Sequence, residues 1–260
     1  MRFAWRLGFA VVLSGLVLAP SAGAFVNQAY VPSQIWSGYT ASEKGLSMDL
    51  VSGSWTAPTA RCPKSKGSFS EVATWLGLGA VKAVEQIGTD TLCEPAQHKT
   101  AVGSAWWEDY PAPSHVIDHP VGPGDKLRAL VAFRGHTVTL TLSDLTRHWK
   151  FVKRTTDASP DLSAAEWIVE DPAANCCQDF PLAEFSPVKF TDAEARSVGG
   201  RTETITGPPW GATKYAMIAG TPARLLAWPS ALSAGGSAFT VTRTDRKPPV
   251  VPSPVAADWR

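Results

Sequence analysis

Along residues 165–172, AEWIVEDP, side chains alternate with a period of two. Ala165, Trp167, Val169 and Asp171 fall on one side of an extended strand, and Glu166, Ile168 and Glu170 on the other. The bland reading of the second side is a solvated polar face; the sharper one is a glutamate facing a cleft. Similar short segments recur, broken by turn residues. Leu127–Phe133 follows the turn Gly122-Pro123-Gly124-Asp125, and Val138–Leu142 follows a hairpin loop at Arg134-Gly135-His136. Ser47–Trp55, Ser70–Gly77, Val81–Thr89, Trp106–Tyr110, Lys214–Ile218 and Phe239–Arg243 extend the series. Runs with the 3.6-residue period of a helix are scarce. About a dozen strands without intervening helices predict an all-β chain of two packed antiparallel sheets, a β-sandwich. The 11 tryptophans suit a sheet whose concave face is lined by aromatic rings.

The two ends of the chain change this picture. Arg2 and Arg6, the apolar run Leu7–Leu18 and the small residues Ala22-Gly23-Ala24 predict a secretory signal peptide over residues 1–24. That run is too short to span a bilayer, which needs ~20 residues. The expectation is therefore a soluble, secreted protein, extracellular or periplasmic, with one β-sandwich domain over 25–245. Pro248, Pro249, Pro252 and Pro254 mark residues 246–260 as an extended proline-rich tail.

The 24 basic and 23 acidic side chains balance to +1. No field results that would draw nucleic acid or an anionic membrane. The basic run Arg147–Arg154 alternates and reads as one solvated hairpin strand. Four cysteines in an oxidising compartment imply disulfides, with three possible connectivities. Adjacent Cys176 and Cys177 cannot easily bond each other, and Cys62–Cys93, which would close the strand pair between them, is the favoured pairing. No C-x-x-C spacing points to zinc.

Familiar chemistries fall away in turn. Ser52-Gly53-Ser54-Trp55 does not fit the G-x-S-x-G elbow of serine hydrolases. Asp90-Thr91-Leu92 lacks the glycine of pepsin-type loops. His115 and His119 have the i, i+4 spacing of helix-borne zinc ligands, but the flanking Pro113 and Pro120 predict a loop with two surface histidines. No phosphate loop is visible. Carboxylate chemistry remains, and neither a metal nor a cofactor is expected.

Several stretches, taken in order, resemble the glutamic peptidases, the eqolisin or G1 family. They are Ile35-Trp36-Ser37-Gly38-Tyr39, Val51–Pro58, Thr74-Trp75-Leu76-Gly77-Leu78-Gly79, Ala83–Thr89 with Gln86-Ile87-Gly88, Ala105–Pro111, Val121–Asp125, Ala165–Pro172 and Phe185–Phe190. The resemblance covers residues 35–190 and implies an antiparallel sandwich of concanavalin-like or jelly-roll type with a bent, concave substrate cleft. It implies a catalytic pair, with the glutamine of the Q-x-G motif at Gln86 and the glutamate ending the E-W-I-x-E strand at Glu170. Trp36, Trp75 and Glu108 match positions of the cleft and are the expected substrate-binding residues. Glu166 is expected to be solvated or to support its neighbour.

The implied activity is an acid-acting endopeptidase, a monomer that takes protein or peptide substrates. A glutamate near its ordinary pKa of ~4.3 keeps some carboxylate in mild acid, where histidine is protonated. Glu170 can take a proton from water and pass it to the leaving amine, while Gln86 holds the water and donates to the oxyanion. Two departures stand out: Gly79 replaces an aspartate of the fungal W-x-G-x-D run, and the chain after Phe190 matches poorly. Two other readings stay open, a carbohydrate-binding, lectin-like sandwich without catalysis and a glycosidase using Glu108 with Glu170.

Overall fold

A computed structural model describes residues 29–62, 69–80, 82–93, 101–172 and 181–249. The predicted signal peptide, Cys176 and Cys177, and the last part of the tail lie outside these residues. In chain order the strands are β1 (Val31–Ser33), β2 (Trp36–Ser42), β3 (Met48–Thr56), β4 (Ala60–Arg61), β5 (Ser70–Ala80), β6 (Ala83–Cys93), β7 (Val102–Tyr110), β8 (His115–Val121) and β9 (Lys126–Arg134). They continue as β10 (Thr137–Asp144), β11 (Trp149–Thr156), β12 (Ala164–Glu170), β13 (Glu184–Phe185), β14 (Val188–Ser197), β15 (Thr202–Thr204), β16 (Gly211–Ala219), β17 (Arg224–Pro229) and β18 (Phe239–Arg246). The helical content among the described residues is one 3-10 turn, Ala234–Gly236.

The all-β expectation holds, but the hydrogen bonding differs from two separate sheets. One sheet runs in the order β11-β10-β9-β3-β14-β18-β17-β16-β2-β12-β5-β6-β7-β8, with β1 added to β16 and β15 to β14. Pairing is antiparallel except between β1 and β16. The sheet folds over on itself, so that β3 faces β12 and β6. The Trp167 indole N–H donates to Ser52 O at 2.8 Å, and that of Trp55 to Thr89 Oγ1 at 3.1 Å. The end strands also meet: Trp149 Nε1 of β11 donates to Pro120 O of β8 at 2.9 Å, and the His119 ring stacks on Trp149. The result is a large antiparallel sheet nearly closed into a barrel. Alternation from single strands predicts buried faces, whereas the continuity through β16–β18 depends on pairings that no local pattern encodes.

Between the two halves lies the main core. Leu76, Ile87, Trp167 and Val169 from one half meet Val51, Leu127, Val131 and Leu140 from the other, all fully buried. Each such side chain contributes about 1.5–3 kcal/mol on burial. The basic segment forms β11, with alternating half-buried and exposed positions, as its pattern predicts. His115 and His119 lie in β8 rather than in a loop. Pro120 is tolerated there because β8 is a sheet edge, where a missing N–H breaks no ladder. Cys62 and Cys93 form a disulfide with a Cα–Cα separation of 5.1 Å. β18 ends at Arg246, and the Tyr30 hydroxyl donates to Pro249 O at 3.2 Å.

Candidate active site

Directly opposed residues of neighbouring strands share a sheet face. Three rows of pairs therefore define one face of β12, β5, β6 and β7. Glu170 opposes Ala73, which opposes Asp90; Ile168 opposes Trp75, then Gly88, then Trp106; Glu166 opposes Gly77, then Gln86, then Glu108. On the other flank Trp36 of β2 opposes Glu170. All five predicted site residues, Gln86, Glu170, Trp36, Trp75 and Glu108, thus lie on the same face. It is the face turned away from the main core, and a second apolar cluster of Ala73, Trp75, Val84, Trp106 and Ile168, with Trp36 against it, lines it.

Indole N–H groups grip the acids along the sheet diagonals. Trp75 Nε1 donates to Glu170 Oε2 at 2.6 Å, and Trp106 Nε1 donates to Asp90 Oδ1 at 2.7 Å. Trp36 packs edge-on against Trp75 with centroids 5.6 Å apart. Its own N–H, near enough to lower the Glu170 pKa, falls short of hydrogen-bond geometry. Between the two gripping indoles sits Gly88, the glycine of Q-x-G. A Cβ there would lie 2.6 Å from Trp75 Cβ and 2.6 Å from Thr74 O, so only glycine lets the aromatic row close. Trp75 is fully buried, and its contribution to the face is the bond to Glu170.

Gln86 is held by a different acid. Its Nε2 donates to Glu108 Oε2 at 2.6 Å, which fixes the amide orientation, because a carboxylate only accepts. One N–H of Gln86 stays available, and its Oε1 is buried without a protein partner. The amide can therefore present one acceptor and one donor to the same small region.

Burial dominates the electrostatics. It pushes Glu170 up to about 7, opposed by the Trp75 and Trp36 N–H groups and reinforced by the charges of Glu108 and Asp171. Glu108 is raised by burial, against the hydrogen bond from Gln86. Burial, then the charge of Glu71, holds Asp90 well above the ordinary carboxyl range, against the Trp106 N–H bond. Glu166 is 2% exposed and held well above its usual pKa by burial, then by Glu170 and Asp161. Glu166 is therefore not a solvated residue: it lies in β12, between β2 and β5.

Asp90 escaped the sequence reading, although its period-two relation to Gln86 and Gly88 places it on the face. Gly79 now has a steric account. Its φ is +146° and a Cβ would lie 2.1 Å from Ala83 O, so the tight β5–β6 hairpin excludes any side chain, aspartate included. Among the described residues the one trio of potential metal ligands, Glu85, Asp109 and Asp157, sits on the opposite face. Burial, then Asp157 and Asp109, pushes Glu85 there up to about 8.

This face thus gathers a gripped glutamate, an oriented glutamine and further desolvated acids on one folded-over β-sheet. The sequence model of the Peptidase A4 family matches residues 34–227, and the chain belongs to that family, the eqolisin glutamic peptidases. Its fold is similar to that of scytalido-glutamic peptidase crystallised with a transition state analog inhibitor, at 24% identity, TM-score 0.67, 82% of this chain and 99% of that one. It is also similar to SCP-B, a member of the eqolisin family in complex with the tripeptide Ala-Ile-His, at 22% identity, TM-score 0.65 and the same coverage. No curated protein matches the chain in sequence.

Proposed function

We propose that the protein is a secreted endopeptidase in which Glu170 activates the attacking water and Gln86 stabilises the oxyanion. What carries this reading is the connection through Glu108. That carboxylate holds Gln86 at 2.6 Å and lies close enough to Glu170 to raise its pKa, so the two groups share one electrostatic neighbourhood. Water bound between them gives a proton to the Glu170 carboxylate as its oxygen attacks the peptide carbonyl. The free N–H of Gln86 donates to the developing oxyanion. Glu170 then returns the proton to the amine as the C–N bond breaks. Trp75 and Glu108 serve as positioning residues, one for each partner.

With Glu170 at about 7, its base form declines about tenfold per pH unit below that value. Activity is therefore expected to fall as pH drops below that value. Full burial of Trp75 leaves no open ring there for a sugar to stack on, which weighs against the lectin-like reading. The test is hydrolysis of casein or a quenched peptide across pH 3–8. Glu170→Gln should lose activity by at least about a thousandfold and stay folded. Gln86→Ala should lose roughly a hundredfold or more, the value of one oxyanion donor. Undiminished turnover in Glu170→Gln would refute the assignment, and wild-type activity that stays flat down to pH 3 would overturn the base role.

A further inference from the structure

Directly behind the Gln86–Glu108 pair, the next opposed pair of β6 and β7 is Glu85 and Asp109, and the pleat turns both to the opposite face. Asp157, just past β11, completes a trio there. Its N–H donates to His136 O at 3.0 Å, and its Oδ1 accepts the Ser159 N–H at 2.8 Å, so the turn that carries it is held in place. One ligating oxygen from each of the three carboxylates lies within 4.8 Å of the others. Glu85 is 1% exposed, and its Oε2 is buried without a hydrogen-bond partner. None of the ion pairs among the described residues involves any of the three acids.

Were all three ionised, carboxylates at this spacing would repel one another; burial, then a hydrogen bond with Asp157 and the charge of Asp109, pushes Glu85 up to about 8. A countercharge placed among them removes that cost, and the donor set says which kind. All donors are hard carboxylate oxygens, which favours Ca²⁺ over softer metals. Ca²⁺ accepts irregular oxygen geometry from separate elements, whereas Mg²⁺ asks for ~2.1 Å bonds in a strict octahedron. Glu85 and Asp109 belong to the half of the sheet that carries the candidate active site, and Asp157 to the half that packs against it.

We propose that Glu85, Asp109 and Asp157 form a Ca²⁺ site that pins the β6–β7 ladder to the turn after β11, behind the Gln86–Glu108 pair. The site is independent of the peptidase reading. Bound Ca²⁺ ties the two halves of the folded sheet together at an edge otherwise joined by side-chain contacts, and it steadies the strands that bear Gln86 and Glu108. Affinity in the range of extracellular modules, Kd ~10⁻⁴–10⁻³ M, is expected from three carboxylates on separate elements.

The experiment uses the intact protein, stripped with EDTA and held at pH 7. Thermal unfolding is followed with 5 mM CaCl₂ or MgCl₂, and Tb³⁺ emission is read under tryptophan excitation. Ca²⁺ should raise Tm by several degrees and Mg²⁺ by less, and Ca²⁺ should displace sensitised Tb³⁺ emission. Asp157→Asn, at a partly exposed position, and the isosteric Glu85→Gln should each abolish both responses while keeping the β-sheet circular dichroism. An unmoved Tm together with no Ca²⁺-displaceable emission overturns the site. Responses that persist in both variants place the ion elsewhere and overturn it equally. A metal-free Asp157→Asn protein that is more stable than wild type, with wild type indifferent to Ca²⁺, means that a proton alone neutralises the trio, and the proposal fails.

Discussion

The two faces of the β12–β5–β6–β7 half-sheet make opposite use of burial. On the inner face Trp167, Val169, Leu76 and Ile87 meet the other half of the sheet, and the Trp167 N–H has its carbonyl at Ser52. On the outer face Glu170, Asp90 and Glu108 have indole and amide donors instead of basic partners, and Glu166 beside them is buried. The inner face stabilises the fold. The outer face spends stability to hold carboxyl groups at shifted pKa values, as acid–base chemistry requires. The same strands do both because a pleat separates the two jobs by one residue.

If that division is right, substitutions one position apart fail in different ways. Trp167→Ala removes a fully buried indole and strands the Ser52 carbonyl, so it should cost about 3–5 kcal/mol or more of stability. Urea denaturation would show this as a large drop in midpoint. Glu170→Gln, on the outer face, should leave that midpoint within about 1 kcal/mol and remove activity instead. A similar loss of stability for both would mean that the outer face is an ordinary core.

A smaller effect follows from the raised acids. A carboxyl whose folded pKa exceeds its unfolded value binds more protons in the native state between the two. Stability then falls as pH rises through that window. For Glu170 the window runs from about 4.5 to about 7, and Asp90 and Glu166 act in the same direction. The unfolding midpoint, measured in EDTA, should therefore be highest in mild acid and decline toward pH 7. Glu166→Gln should flatten the decline by removing one of the titrating groups, with little change at pH 4. A midpoint that climbs with pH would contradict the desolvated state of these acids without basic partners.

Much of this contrast was legible in the alternation of AEWIVEDP, which separates Trp167 from Glu170 without any structure. Gln86 and Glu108 required the family pattern, because a lone strand glutamine ordinarily faces water. Alternation states which side a residue takes, but not whether that side is covered, so Glu166 read as solvated and is buried. Nor does it give register: Trp75 reaching Glu170 across a diagonal follows from the β12–β5 pairing. The edge position of β8, which makes Pro120 harmless, is likewise a property of the sheet and not of the segment. Asp90 shares the parity of Gln86, but nothing in its own segment, Asp90-Thr91-Leu92, marks it as a site residue. The continuous sheet was illegible for the same reason as the Glu85–Asp109–Asp157 trio, which joins residues far apart in sequence through strand order.

The finest test concerns the grip on Glu170. Trp75→Phe keeps a buried ring on the outer face and deletes the N–H that donates to Oε2 at 2.6 Å. Since that bond favours the carboxylate, its loss should raise the Glu170 pKa above its present value of about 7. Below the pKa the base form is scarce, so kcat/KM at pH 5 should fall roughly tenfold for each unit of the shift, while KM changes little. At a pH above the new pKa the variant should recover most of the wild-type rate. A uniform loss at every pH would instead mean that Trp75 shapes the peptide site, and that its indole does more than set the charge of its neighbour.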